Sequence, residues 1–98
     1  MIIVHDIFVC KPGNASKLAK MFKESVAGGP GAANIIMTDM TGQYNRVIMV
    51  SQHESLAAYE KSFEAYMHPT PAMKESMKKM EGYHDMYLTG SREIYRIW

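Results

Sequence analysis

Hydrophobic and polar positions follow two different periods along the chain, and each change of period marks the boundary of a predicted element. Residues 2–10 are mostly β-branched and aromatic, which predicts a first strand that ends at Lys11-Pro12-Gly13. From Asn14 the apolar residues recur at helical spacing and predict a first helix. The glycine-rich run at 28–31 is expected to end it. The apolar positions of this helix are Ala15, Leu18, Ala19, Phe22 and Val26.

Two more strands and a second helical region follow. Residues 32–40 and 46–53 have strand character, and the short segment between them is typical of a hairpin turn. The helical region begins near Ser55, a common N-cap residue type, and runs to His68. After it, Thr70 is expected to cap a further helical segment that Pro71 opens. The apolar stripe of the second region contains Leu56, Tyr59, Phe63 and either Tyr66 or Met67.

The last strand completes the predicted fold. Residues 83–89 and 92–98 have strand character, with a bulge or bend expected at Gly90-Ser91. Because this strand is long, we expect residues 93–98 to reach beyond their own sheet. The order βαββαβ with right-handed crossovers predicts an α+β, ferredoxin-like domain over residues 1–98. Its four-stranded antiparallel sheet has the order 4-1-3-2, with the helices on one face.

The second and third strands predict a partner for this domain. Both carry apolar residues at odd and even positions alike, so neither face of the sheet suits contact with water. Two helices cover only one face, and the other must be covered by a second chain. A domain of 98 residues also gains stability when it buries more surface against another copy. The sequence therefore predicts a homodimer.

Composition and charge exclude several classes of partner. Eleven basic and ten acidic residues leave a net charge of +1, without the basic concentration that nucleic-acid binding needs. No apolar stretch approaches the roughly 20 residues of a membrane span, and the chain begins directly in a strand pattern. We therefore expect a cytoplasmic protein without a membrane partner. Cys10 is the only cysteine, which excludes an intrachain disulfide. Ten methionines suit a core or pocket that adapts to a small apolar molecule.

Three stretches of the chain carry a family resemblance. They are Lys11-Pro12-Gly13 before the first helix, residues 55–60 at the start of the second, and Glu93-Ile94-Tyr95 in the last strand. Together they resemble the dimeric α/β barrel superfamily, which includes NIPSNAP-like proteins, antibiotic-biosynthesis monooxygenases and haem-degrading monooxygenases. The resemblance implies that two chains close their sheets into a barrel. It also implies a cofactor-independent monooxygenase or isomerase that acts on a small apolar or aromatic metabolite.

The resemblance to the haem-degrading members is incomplete. Those proteins share an Asn, a Trp and a His, whereas this chain has His5 and Asp6 in its first strand and Trp98 at its end. His68 is the one residue that matches the shared His. We therefore expect no cofactor, and keep haem binding through His68 as the less favoured alternative.

Histidines supply the candidate chemistry. In the predicted sheet the first strand begins beside the end of the third, which places His5 and His53 near each other and His84 toward the opposite end. Two imidazoles can share a substrate proton, so His5 and His53 are the candidate catalytic residues. No third ligand has a convincing spacing, and we expect no metal site. The alternative is that each histidine is a hydrogen-bonded strand residue without a catalytic role.

The second helical region supplies candidate ligand-binding residues. Tyr59, Tyr66 and His68 lie where a helix face over the sheet could wall a cavity. The alternative for these residues is ordinary helix-to-sheet packing, with the tyrosine hydroxyls at the surface. If that alternative holds, the protein is a non-catalytic dimeric module that binds a ligand or another protein.

Overall fold

The computed structural model describes residues 1–26, 35–42 and 44–98, without the side chains of residues 25, 26, 65, 66 and 76. The expected turn at 28–31 and the start of the second strand at 32–34 lie outside the described residues. The elements in chain order are β1 (Ile2–Cys10), α1 (Ala15–Val26), β2 (Ile35–Thr38), β3 (Arg46–His53), α2 (Leu56–Ser62), α3 (Glu64–Met67), α4 (Pro71–Lys79), a 3-10 turn (Tyr83–Asp85) and β4 (Tyr87–Arg96).

The four strands form one antiparallel sheet in the order β2-β3-β1-β4. This is the predicted order, and the α+β ferredoxin-like fold is confirmed. β1 occupies the centre of the sheet, where Ile2 lies opposite His53 of β3 and Arg96 of β4. Every residue of β1 therefore has a neighbour on β3 or β4, and the register fixes which side chains share a face.

One face of the sheet, which we call the helix face, carries the even-numbered residues of β1 and their partners on the other strands. The main core lies on this face, where Leu18 and Phe22 of α1 are buried with Cys10 and Val47. A second buried cluster joins Ile2 and Val4 to Tyr59 of α2. Aromatic and aliphatic side chains of the helices thus cover both ends of the helix face.

The other face, which we call the open face, carries the odd-numbered residues of β1 and their partners. None of the described side chains on it is buried. Its members are nevertheless mostly apolar, as the two-sided pattern of the strands predicted. The apolar residues of the open face are Ile3, Ile7, Val9, Ile35, Met37, Ile48, Val50, Tyr95 and Ile97.

The helical caps lie where the sequence predicted them. Ser55 caps α2, and its Oγ accepts a hydrogen bond of 3.1 Å from the backbone N–H of Ala58. Thr70 caps α4 through a 3.3 Å hydrogen bond from the backbone N–H of Met73, and Pro71 is the first helical residue. The region between these caps is divided into α2 and α3 rather than forming one helix to His68.

The beginning of β4 differs from the prediction. Residues 83–85 form a 3-10 turn instead of strand, and the strand begins at Tyr87. The pairing of β4 with β1 then shifts by one residue, because Val9 lies opposite Thr89 whereas Cys10 lies opposite Tyr87. Leu88 is therefore the extra residue of a bulge.

The bulge predicted at Gly90-Ser91 is thus wrong. Gly90 lies in regular pairing opposite Phe8, and a Cβ there would come within 3.3 Å of the Ile7 carbonyl oxygen. The glycine serves this close approach of two strands and not a bend. Residues 93–98 were expected to reach beyond their own sheet. For residues 93–96 this expectation is also wrong, because pairing with β1 continues to Arg96.

Candidate functional site

The two candidate catalytic histidines lie on opposite faces of the sheet. His53 is opposite Ile2 and belongs to the helix face, whereas His5 is opposite Val50 and belongs to the open face. Residues two apart in a strand share a face, and Ile2 and His5 are three apart. The prediction that the two imidazoles sit near each other is therefore wrong, although strand order placed both at the same end of the sheet.

His5 has an aromatic neighbour on the open face. Its ring meets the ring of Tyr95 edge to face at a centroid distance of 5.4 Å. The Tyr95 hydroxyl in turn donates a 2.7 Å hydrogen bond to Glu93. These contacts join β1 to β4, and they place His5 away from the helices.

His53 lies at the end of β3, beneath α2. Its Nε2 lies 3.0 Å from the Oγ of Ser51, a buried residue two positions earlier on the same face. Its ring packs against Tyr59 at a centroid distance of 4.8 Å. The hydrogen bond to Ser51 fixes one ring nitrogen, and Nδ1 has no hydrogen-bond partner within the part of the chain that the structure describes.

Tyr59 is the central residue of this region. Only 9% of its surface is exposed, and its ring packs against Phe63 at a centroid distance of 4.9 Å. Its hydroxyl is buried without a hydrogen-bond partner among the described residues. Burial raises the pKa of the hydroxyl, the charge of Asp6 raises it further and Arg92 opposes the rise. The hydroxyl therefore keeps its proton at neutral pH and is a hydrogen-bond donor with no acceptor among the described residues.

Asp6 and Arg92 complete the group. They lie directly opposite each other on β1 and β4, and the Arg92 Nε donates a hydrogen bond to the Asp6 Oδ1. The hydrogen bond to Asp6 is the main reason that the pKa of Arg92 is raised. The Arg92 guanidinium carbon also lies 5.5 Å from the ring centroids of both Tyr59 and Phe63, within cation–π range.

We call this group the Tyr59 cluster. It combines an imidazole, a buried hydroxyl, a carboxylate and a guanidinium around two aromatic rings. Its members are Asp6, Ser51, His53, Tyr59, Phe63 and Arg92.

Sequence reasoning selected His53 and Tyr59 as site residues but missed the importance of Asp6 and Arg92. Asp6 and Arg92 are 86 positions apart in the chain, and nothing near Arg92 in the sequence indicates a carboxylate partner. The available signal is the strand register. Once β1 and β4 are paired, opposite charges at directly facing positions indicate an ion pair.

Two further candidates, His68 and Tyr66, remain to be placed. His68 follows α3 with an exposed side chain, and no described contact links it to the cluster. The side chain of Tyr66 lies outside the description, so the ligand-binding roles of Tyr66 and His68 stay predictions. Within residues 1–26, 35–42 and 44–98, no three His, Cys, Asp or Glu side chains are grouped as metal ligands. The described helices also include none with the length and apolar character to cross a membrane.

Replacing Tyr59 with Phe is expected to stabilise the protein while impairing its site. An unpartnered buried polar group costs about 1–3 kcal/mol, so Y59F should raise the free energy of unfolding by about 1 kcal/mol. Urea denaturation at a fixed protein concentration measures the change. Tyr95→Phe is the matched control, because it removes an exposed hydroxyl that already has a partner and should change stability by less than about 0.5 kcal/mol. Lower stability of Y59F than of the wild type would show that the hydroxyl does have a stabilising partner.

Comparison with known proteins supports the fold. No family model and no curated protein matches the chain. Among solved structures, a NIPSNAP-like domain protein of Burkholderia xenovorans has a TM-score of 0.76 at 16% identity, over 99% of this chain and 84% of that one. A NIPSNAP family protein of unknown function from Agrobacterium tumefaciens has a TM-score of 0.73 at 15% identity, over 97% and 86% of the two chains.

A third solved structure comes from the other expected group. It is a protein of Deinococcus radiodurans provisionally assigned as an antibiotic biosynthesis monooxygenase, with a TM-score of 0.63 at 13% identity over 100% of this chain and 93% of that one. The structural neighbours are thus NIPSNAP-like and monooxygenase-like proteins of the ferredoxin-like fold, as the sequence resemblance predicted. At these identities the likeness establishes the fold and leaves function to the site.

Proposed function

We propose that this protein is a homodimeric, cofactor-independent enzyme that removes a proton from a small apolar or aromatic metabolite at the Tyr59 cluster. The observation that carries the proposal is the buried Tyr59 hydroxyl, which has no partner among the described residues and belongs to a ring that contacts both an imidazole and a guanidinium. Buried polar groups without partners are rare, and a role in catalysis is one of the reasons for which they are retained.

His53 is the base in this proposal. When its Nε2–H donates to the Ser51 Oγ, the lone pair of Nδ1 is free to accept a proton. Ser51 is buried and holds the ring in one orientation, as an orienting residue does for a catalytic histidine. Imidazole is also the side chain whose ordinary titration range lies nearest to neutral pH, which suits a general base.

The other members of the cluster stabilise the anion that proton removal leaves. The Arg92 guanidinium places a positive charge beside the rings of Tyr59 and Phe63, and Asp6 holds that guanidinium in position. The Tyr59 hydroxyl is a donor that is already desolvated and does not need to break a hydrogen bond to act. Hydrogen-bond donors that are fixed in place and point at the charge that develops in the transition state usually make the largest single contribution to the rate of an enzyme.

Two reactions follow from the same anion. Return of the proton to a different carbon completes an isomerisation without any further reactant. Reaction with O₂ completes a monooxygenation, in which a phenol carbon gains one oxygen atom as a quinone carbonyl and the second oxygen atom leaves as water. Neither route needs a metal or an organic cofactor.

The homodimer is proposed from the open face. The face carries apolar side chains on all four strands, yet none of those described is buried in the single chain. An apolar sheet face of this length is stabilised when a second copy excludes water from it. Pairing through the open face leaves the Tyr59 cluster on the outer side of each sheet, where its members Phe63 and Arg92 are exposed to solvent.

The proposed chemistry is tested by hydrogen–deuterium exchange into phenylacetone, a neutral aromatic ketone with acidic protons beside its carbonyl. Exchange in D₂O is followed by loss of the CH₂ proton signal in NMR spectra. The wild type should exchange the probe faster than the buffer does. His53→Gln should lower the enzymatic rate at least about 100-fold, the usual contribution of a general base. An oxygen electrode run in parallel separates monooxygenation from isomerisation.

His5→Gln is the matched control, because it changes the same residue type on the opposite face of the sheet. Its rate should stay within about twofold of the wild type. Exchange no faster than in buffer would contradict the proposal, as would a His53→Gln variant with the wild-type rate. Saturable binding of the probe without exchange would identify a non-catalytic binding module instead.

A further inference from the structure

We infer that the Tyr59 cluster binds small aromatic monocarboxylates, with the carboxylate on Arg92 and the ring against Phe63. This inference rests on the proposed function for the site and adds the charge and shape of its ligand. Three features of the cluster carry it: unused donors on Arg92, the charge balance around Tyr59, and exposed apolar side chains beside the guanidinium.

The Arg92 guanidinium has N–H groups that make no hydrogen bond to the described residues. Of its five N–H groups, the one on Nε is used by Asp6, and no other hydrogen bond of its side chain occurs within the part of the chain that the structure describes. About half of its side chain, 48%, is exposed. Asp6 therefore fixes the plane of the guanidinium through Nε and leaves the Nη groups for a second carboxylate. Arginine binds carboxylates through two parallel hydrogen bonds in this way.

The charge balance of the cluster favours a ligand with no more than one negative charge. Asp6 neutralises Arg92 in the absence of ligand, so the cluster does not carry the excess positive charge that a phosphate or a dicarboxylate would need. The Tyr59 hydroxyl keeps its proton at neutral pH, since burial raises its pKa, and it has no acceptor. A single carboxylate is an acceptor for the free donors of Arg92 and, once its binding shifts the Tyr59 ring enough to uncover the hydroxyl, for that donor as well.

The shape of the surroundings favours an aromatic body on the ligand. Phe63 is 40% exposed although its ring packs against Tyr59 and the Arg92 guanidinium, so part of the ring beside Arg92 is available. Ile94 lies two residues after Arg92 on the helix face and is 41% exposed. A flat ring that covers these two side chains removes apolar surface from water and keeps its carboxylate at Arg92.

The inference is tested by titrating ¹⁵N-labelled protein with benzoate and with benzamide, which has the same shape without the charge. Benzoate should bind at least about tenfold more tightly than benzamide, with shift changes concentrated in residues 59–63 and 92–94. Arg92→Gln should weaken benzoate binding at least about tenfold and abolish the preference over benzamide. Y59F should weaken benzoate binding to a smaller extent.

Arg96→Gln is the matched control. Arg96 lies on the same strand and the same face as Arg92, but its guanidinium packs on Trp98 instead of the cluster. Its affinity for benzoate should stay within about twofold of the wild type. If Arg92→Gln alone fails to fold, the double variant Asp6→Asn with Arg92→Gln removes both charges and gives the same readout. Equal affinities of the wild type for benzoate and benzamide would overturn the inference. So would a loss of benzoate affinity in Arg96→Gln as large as that in Arg92→Gln.

The two hypotheses about the site can fail separately. Benzoate binding and proton exchange are measured separately, so each can be lost without the other. Benzoate selectivity through Arg92 without any proton exchange would contradict the proposed enzyme and keep the ligand class. Proton exchange that depends on His53, without selectivity for benzoate, would contradict the ligand class and keep the proposed enzyme.

Discussion

Replacing Ile7 with Asp is expected to convert the proposed dimer into a folded monomer. Ile7 lies near the middle of the open face, opposite Ile48 of β3 and Ser91 of β4. A carboxylate at this position would have to leave water on association without a partner, which costs several kcal/mol. A penalty of about 4 kcal/mol weakens association about 1000-fold. Because Ile7 is not in the buried core, the single chain should still fold.

Size-exclusion chromatography with light scattering measures this effect against the chain mass of 11.1 kDa. The wild type should have about twice this mass, and Ile7→Asp should have the mass of one chain with an unchanged circular dichroism spectrum. Leu56→Asp is the matched control, since Leu56 is a large apolar residue exposed on α2, away from the open face. It should remain dimeric. A dimeric Ile7→Asp variant would show that another surface joins the two copies.

Replacing Phe22 with Ala is expected to cost about 3–5 kcal/mol in the free energy of unfolding. Phe22 is 2% exposed, and its ring packs against Phe8 at 5.0 Å and Tyr83 at 6.1 Å between centroids. These contacts join α1 to β1 and to the 3-10 turn before β4. The substitution removes the ring on which these two contacts depend and leaves a cavity in the main core.

Urea denaturation measures the loss, at one protein concentration because the proposed dimerisation would couple to folding. Met77→Ala is the control, because Met77 is half exposed on α4 and should cost less than about 0.5 kcal/mol. A loss below about 1 kcal/mol in Phe22→Ala would contradict the packing described for α1.

The sequence was sufficient for the features that depend on local pattern. Ser55 and Thr70 are caps because their hydroxyls satisfy free backbone N–H groups, and that chemistry is legible in the residue type alone. The strand order followed from element order and handedness, and the two-sided apolar pattern of β3 corresponds to a sheet with an uncovered apolar face.

Features that depend on register could not be derived in the same way. A shift of one residue moves a strand side chain to the opposite face, so strand order alone could not show that His5 and His53 are separated by the sheet. Because the register was unknown, the ion pair between Asp6 and Arg92 could not be predicted either. Gly90 illustrates a further limit, because a glycine that serves a bend and one that serves a close approach are identical in sequence.

The two faces of one sheet are proposed to contact different partners: the open face a second copy and the helix face a small molecule. Solvent paramagnetic relaxation of isoleucine methyl groups tests this assignment most directly. In the single chain, Ile35 on the open face is 52% exposed and Ile94 on the helix face is 41% exposed. With a soluble gadolinium chelate, the account predicts a broadened Ile94 signal and protected signals for Ile35 and Ile7. Broadening of Ile35 at least as strong as that of Ile94 would contradict it.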